Sequence, residues 1–303
     1  MTSDHRFITD VPTLTDPVLV VMLTGWIDAS GAAASAMGAL QQEVDAIPLV
    51  SFDDDLYIDY RARRPTLELR DGEATRLVWA SPELQFGRTP GGRDVVLLNG
   101  PEPDMAWHRF CATVAELADR LGVRRMVSLG AYPFATPHTR PVVLSATSPS
   151  KDVLAGLPFR TNSVDVPAGM AAALEQELHG RGIPALGVWA QVPHYVASMS
   201  YPAASVALLE GLATASGIAV DANDLRREAV LQRERLDQLV QSNPEHQAMV
   251  EQFERLFDAS DETTGIVTDP TGEGQPGHGE LELRSGDELA GEIERFLQER
   301  GDK

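Results

Sequence analysis

Short apolar runs rich in valine and leucine alternate with longer segments of helical spacing over most of this sequence. Residues 17–23 (PVLVVML), 49–52, 75–80, 94–99 (DVVLLN), 125–129 (RMVSL), 141–147 (PVVLSAT) and 183–190 (IPALGVWA) read as strands. Residues 31–44, 104–121, 168–181 and 201–216 read as helices between them. A strand buried on both faces shows an unbroken apolar run instead of a two-residue alternation. Helices between such strands cover both faces of a mostly parallel sheet. The prediction is an α/β core domain over residues 1–218.

The pattern changes after Gly217. Leu225, Ala229, Leu236, Leu239 and Val240 fall near one helical face, and Met249, Val250, Phe253, Leu256 and Phe257 repeat the spacing. Between them, Asn243 ahead of Pro244 supplies a cap and a first-turn residue that lacks the donor a helix start leaves unused. Residues 219–260 are therefore expected to form an α-helical hairpin. Residues 261–303 read as an acidic flexible linker containing TDPTGEGQPGHGE, then a short amphipathic helix at about 287–299 carrying Leu289, Ile293, Phe296 and Leu297.

Charge and cysteine usage narrow the function classes. A net charge of −20 argues against nucleic acid or an anionic membrane as partner, since both require counter-charge. No run reaches the roughly 18 apolar residues of a membrane-spanning helix, and MTSDHRFITD lacks a signal pattern. The single cysteine, Cys111, allows no internal disulfide and fits a reducing compartment, so a cytoplasmic location is expected.

Most motif-like matches have a plainer reading. GEGQPG at 272–277 matches the dinucleotide fingerprint, but no strand precedes it and a proline interrupts it. The run Asp53-Asp54-Asp55 has oxygens for a hard cation, yet adjacent carboxylates on extended backbone alternate sides and cannot all converge. Cys111 in MAWHRFCATVAEL reads as a packed small hydrophobe. Neither a P-loop nor G-x-S-x-G nor H-E-x-x-H occurs. No catalytic residue, metal ligand or cofactor is therefore assigned.

Three stretches follow predicted strands and so should lie along one sheet edge, where α/β proteins place their sites. GWIDASG puts Trp26, Asp28 and Ser30 where a strand gives way to a helix. Asp28 or Ser30 would cap that helix, and the same helix start would favour an anion. PHTRP holds His138 and Arg140 between prolines that favour extended backbone, so the two would face the same way and suit a carboxylate or phosphate. VPHYV carries His194 and Tyr195.

In this order, GWIDASGAA, GAYPFATPHTRPV and VPHYV with the following PAAS-containing helix resemble the proteasome assembly chaperone 2 family over about residues 15–260. The resemblance implies a three-layer α/β/α sandwich with a mixed sheet, similar to phosphorylase/hydrolase-like architectures. It also implies homo-oligomers and a chaperone or scaffold role toward proteasome α subunits, although some members carry a carboxylate–amine ligase label. Relatives that dock on proteasomes end in hydrophobic-Tyr-X, whereas this sequence ends Arg300-Gly301-Asp302-Lys303, so that docking mode is not expected.

Two functions of different kinds follow. In the first, a non-enzymatic assembly factor presents an oligomer surface to proteins, with a trimer favoured on the resemblance. In the second, a cleft lined by Asp28, His138, Arg140, His194 and Tyr195 binds an anionic metabolite for phosphorolysis or ligation. The first is favoured, with Asp28 placed to organise its turn and to engage Arg140. A surplus of apolar positions on the α-hairpin points the same way, because two helices cannot cover it alone.

Overall fold

The computed structural model describes residues 4–264. The expected linker, the GEGQPG match and the short helix near the end of the sequence lie outside the described residues.

One eight-stranded sheet organises the chain. Its strands are β1 (His5–Phe7), β2 (Val18–Thr24), β3 (Ile47–Phe52), β6 (Glu83–Arg88), β7 (Asp94–Pro101), β8 (Arg125–Phe134), β9 (Leu144–Thr147) and β10 (Ala185–Pro193). Their spatial order is β1-β3-β6-β7-β2-β8-β10-β9. The four central strands β7, β2, β8 and β10 pair in parallel, and antiparallel strands flank them on both sides. Five of the eight strands thus point one way, which makes the sheet mixed and mostly parallel. The remaining pair, β4 (Thr66–Arg70) and β5 (Glu73–Val78), forms a separate two-stranded ribbon.

The unbroken apolar run of β2 reflects burial on both sides. Val18, Val20 and Met22 join one core, and Leu19 and Val21 the other. The first core lies under α1 (Ala32–Glu43) and α6 (Pro202–Ser216), and the second under α3 (Trp107–Leu121) and α5 (Met170–Gly180). The layers are helix, sheet, helix. Two short helices, α2 (Asp54–Tyr57) and α4 (Lys151–Ala155), complete the core. The α-hairpin is α7 (Asn223–Gln241) and α8 (Pro244–Thr264), and Oδ1 of Asn243 accepts the Glu245 N–H at 2.9 Å as its cap. Leu236, Val250 and Phe253 bury its inner side against the first core, while Val230, Leu231 and Leu256 stay exposed.

Several elements differ from the sequence reading. The 75–80 run is strand as far as Val78, but among the described residues it pairs only with β4 and does not join the eight-stranded sheet. β8 continues five residues past Leu129, because β10 pairs with it in register to Phe134↔Pro193 and supplies ladder bonds beyond the apolar run. β6 carries no apolar periodicity strong enough to read, since Leu84 alone among its six residues is buried.

Cys111 is buried, and burial pushes its thiol up to about 12, as a packed hydrophobe requires. Among the described residues no helix is long and apolar enough to cross a membrane.

Candidate functional site

The parallel strands end along one edge, and the loops leaving that edge carry all seven residues singled out above. They do not form one cluster. Trp26, Asp28 and Ser30 belong to the turn after β2, while His138, Arg140, His194 and Tyr195 meet the α-hairpin.

In the first group Asp28 is a capping residue. Its Oδ1 accepts the N–H of Ala33 at 2.8 Å and its Oδ2 that of Ala34 at 3.0 Å, satisfying donors that the first turn of α1 leaves free. Burial raises its carboxyl above the usual range, and these backbone donors pull the other way. Arg140 is not its partner. Ser30 takes φ 61°, and its N–H donates to the carbonyl of Ala197 at 2.6 Å, tying the turn to the segment after β10. Trp26 lies against Gly169, the residue before α5, where a Cβ would come within 2.8 Å of its Cδ1. The ring nonetheless remains 45% exposed.

The second group is a filled socket. The His138 N–H donates to the Tyr195 hydroxyl at 2.8 Å, and the same oxygen lies 2.7 Å from His138 Nδ1. His138 Nε2 faces Oδ1 of Asp237 on α7 at 3.2 Å. Phe253 of α8 packs on both His194 and Tyr195, at 5.3 Å from the first ring and stacked on the second at 6.3 Å, while those two rings meet edge to face at 5.5 Å. Burial lowers the basicity of both histidines, with Asp237 opposing it at His138 and a hydrogen bond to the Phe134 backbone opposing it at His194.

Arg140 closes the rim. Its Nη1 reaches Glu254 at 3.0 Å, and its Nε and Nη2 form a fork with Asp258 at 2.8 and 2.7 Å. The extended geometry expected for PHTRP does not occur. Residues 137–140 turn, so His138 points inward and Arg140 outward to α8. The carboxylates anticipated for a bound anion are this chain's own Asp237, Glu254 and Asp258.

The edge leaves several apolar side chains open. Trp26, Ile27, Met105 and Phe134 stand exposed at strand ends, with Val164 and Val166 in the loop leading to α5. Asp53, Asp54 and Asp55 follow the end of β3, which β6 and β7 separate from β2 in the sheet, and they belong to neither group. No metal-binding group of three or more His, Cys, Asp or Glu residues occurs among the described residues.

The sequence reading missed one buried carboxylate. Glu175 of α5 accepts hydrogen bonds from Ser128 at 3.0 Å and Thr147 at 3.3 Å, and burial raises it to about 7. A glutamate on the inward side of a helix otherwise lined by Met170, Leu174 and Leu178 was the available signal.

The sequence profile of the PAC2 family matches residues 22–240, which span both groups. The chain belongs to the PAC2 family. Among solved structures, a protein of unknown function from Corynebacterium glutamicum is 30% identical, with a TM-score of 0.80 over 86% of this chain and 99% of its own. A proteasome-assembly chaperone homologue from Mycobacterium tuberculosis is 34% identical, with a TM-score of 0.72 over 78% of this chain and 99% of its own. The archaeal proteasome activator PbaB from Pyrococcus furiosus, at 15% identity, a TM-score of 0.61 and coverage of 78% and 99%, shares the fold. No curated protein matches. As a PAC2 family member, the chain carries a mixed eight-stranded sheet flanked by helices, with C-terminal helices after it.

Proposed function

We infer that this PAC2 family protein is a non-enzymatic assembly chaperone or scaffold, acting through protein–protein contacts as a homo-oligomer. One observation carries the reading. The strand-end edge that would hold a metabolite is filled by Phe253 and rimmed by Arg140 paired to α8, while Trp26, Met105 and Phe134 stand exposed beside it. A plugged edge with exposed apolar side chains suits a protein surface better than a small ligand. The M. tuberculosis relative named as a proteasome-assembly chaperone homologue makes proteasome subunits the first partners to test. A trimer is favoured over a dimer, and the reduced, buried Cys111 fits a cytoplasmic location.

The test is reconstitution of purified proteasome α and β subunits with and without the protein, followed by native electrophoresis. Faster appearance of assembly intermediates, and co-migration of the protein with α subunits, is expected. Unchanged assembly without co-migration would remove the proteasome from the reading. A constant mass of 32.8 kDa across a micromolar dilution series would remove the homo-oligomer.

A further inference from the structure

The β4–β5 ribbon stands apart from the sheet, and among the described residues its two strands pair only with each other. Leu67 pairs with Leu77, and with Leu69 they make one apolar face, 48%, 47% and 54% exposed respectively. A lone two-stranded ribbon is marginal in water, and an apolar face of this kind calls for cover. The segment 61–79 holds five arginines against three carboxylates, in a chain whose net charge is −20. Among the described residues, the structure gives the Arg61 and Arg64 side chains no carboxylate partner.

A groove of about 560 Å³ opens at the root of the ribbon. Phe52, Tyr60 and Trp79 supply its apolar lining, with the Tyr60 and Trp79 rings edge to face at 4.7 Å. Asp53, Asp54 and Asp55 stand along it with His5 and Arg6, and the Arg6 charge acts on Asp54. Oδ1 of Asp54 is buried there with no hydrogen-bond partner among the described residues. The groove therefore has apolar depth, negative charge and an unmet acceptor. The ribbon has an apolar face and surplus positive charge.

We propose that the leucine face of the β4–β5 ribbon of one copy seats in the aspartate-lined groove of a second copy, with arginines of the ribbon segment meeting the aspartates. This rests on the homo-oligomer reading and names the surfaces that meet. Ribbon and groove are different surfaces, so each copy can give its ribbon to one neighbour and its groove to another, a head-to-tail contact that makes a ring when the rotation between copies closes.

The experiment uses full-length protein in light scattering at micromolar concentration. A ribbon variant carries Leu67→Asp and Leu77→Asp, and a groove variant carries Asp54→Lys and Asp55→Lys. Near-ultraviolet circular dichroism and melting check that each is folded. Each variant alone should be a monomer of 32.8 kDa. Their equimolar mixture should give a two-chain species, because one sound ribbon and one sound groove leave a single working junction. A third variant, Arg61→Glu with Arg64→Glu, keeps the leucine face and should raise the dissociation constant at low salt at least tenfold, about 1.4 kcal/mol. An oligomeric wild type with all three variants unchanged would overturn the ribbon–groove contact and leave the homo-oligomer standing. A mixture that stays monomeric would overturn the head-to-tail pairing. A wild type that is monomeric at every dilution would overturn both readings.

Discussion

The Tyr195 hydroxyl bridges two nitrogens of one residue, accepting from the His138 backbone N–H at 2.8 Å and facing His138 Nδ1 at 2.7 Å. The hydroxyl has one proton, so donation to Nδ1 makes that nitrogen the acceptor. The ring proton then sits on Nε2, directed at Asp237 3.2 Å away. His138 is neutral in this arrangement, which burial also favours.

Tyr195→Phe keeps the stack on Phe253 but strands the His138 N–H and Nδ1. Leaving buried polar groups unpaired costs about 1–3 kcal/mol. The denaturation midpoint should fall accordingly, with an unchanged slope against denaturant. An unchanged midpoint would mean that the hydroxyl bridge contributes nothing to stability.

Acid should loosen the same socket. The folded-state pKa values of His138 and His194 lie below the ordinary 6.5. Above that value both states are neutral and no difference arises. As pH falls through 6.5 the unfolded chain binds protons first, so stability declines until the depressed folded values are reached. Double substitution His138→Gln and His194→Gln should flatten this decline between pH 6.5 and 5, measured by thermal melts.

Glu175 works in the opposite sense. Its folded value of about 7 lies above the unfolded one. Its stabilising contribution is full below the ordinary glutamate range near 4.3 and is lost as pH rises through 7. Glu175→Gln should remove that loss, giving a gain of roughly 3 kcal/mol at pH 8 relative to wild type at the 1.36 kcal/mol per pH unit of linkage. Melts at pH 5 and pH 8 test it, and equal shifts at both would contradict a buried titrating carboxyl.

Asp28→Asn should cost about 1–2 kcal/mol, through one of the two cap bonds and the charge at the start of α1. The first turn of α1 should exchange its amide hydrogens faster while α6 is unaffected. A midpoint unchanged within error would show that Asp28 is held for something other than stability.

Arg140→Ala should free the outer end of α8 without unfolding the core. Amide exchange across residues 251–258 should accelerate several-fold, and high salt should reproduce part of the effect in wild type because the Arg140–Asp258 pair is solvent-exposed. Equal acceleration in β2 or β8 would show instead that the hairpin and sheet open as one unit.

The central strands were readable because double-sided burial writes itself as uninterrupted runs, as in Val18 to Met22. The α-hairpin was readable from Asn243-Pro244 and from Val250 and Phe253. The ribbon was overlooked although Asp71 and Gly72, with φ of 51° and 87°, form the two-residue turn that an Asp-Gly pair announces. Arg140 was assigned to Asp28 since both follow strand ends. Its true partners, Glu254 and Asp258, share a helix face four residues apart, a spacing visible in the sequence but silent about which arginine it meets.

The hairpin's grip on the strand ends also sets an order in time. Arg140 waits for partners 114 and 118 residues farther along. At the usual synthesis rate of about 5–20 residues per second, that is roughly 6–24 s after Arg140 is made. In the later part of that interval, once β10 is complete and all the sheet strands have been synthesised, the nascent chain shows His194, Tyr195 and an unpaired guanidinium at the sheet's end. A ribosome-bound chain stopped short of α8 should therefore be stickier, and a better chaperone client, than one that has cleared Asp258.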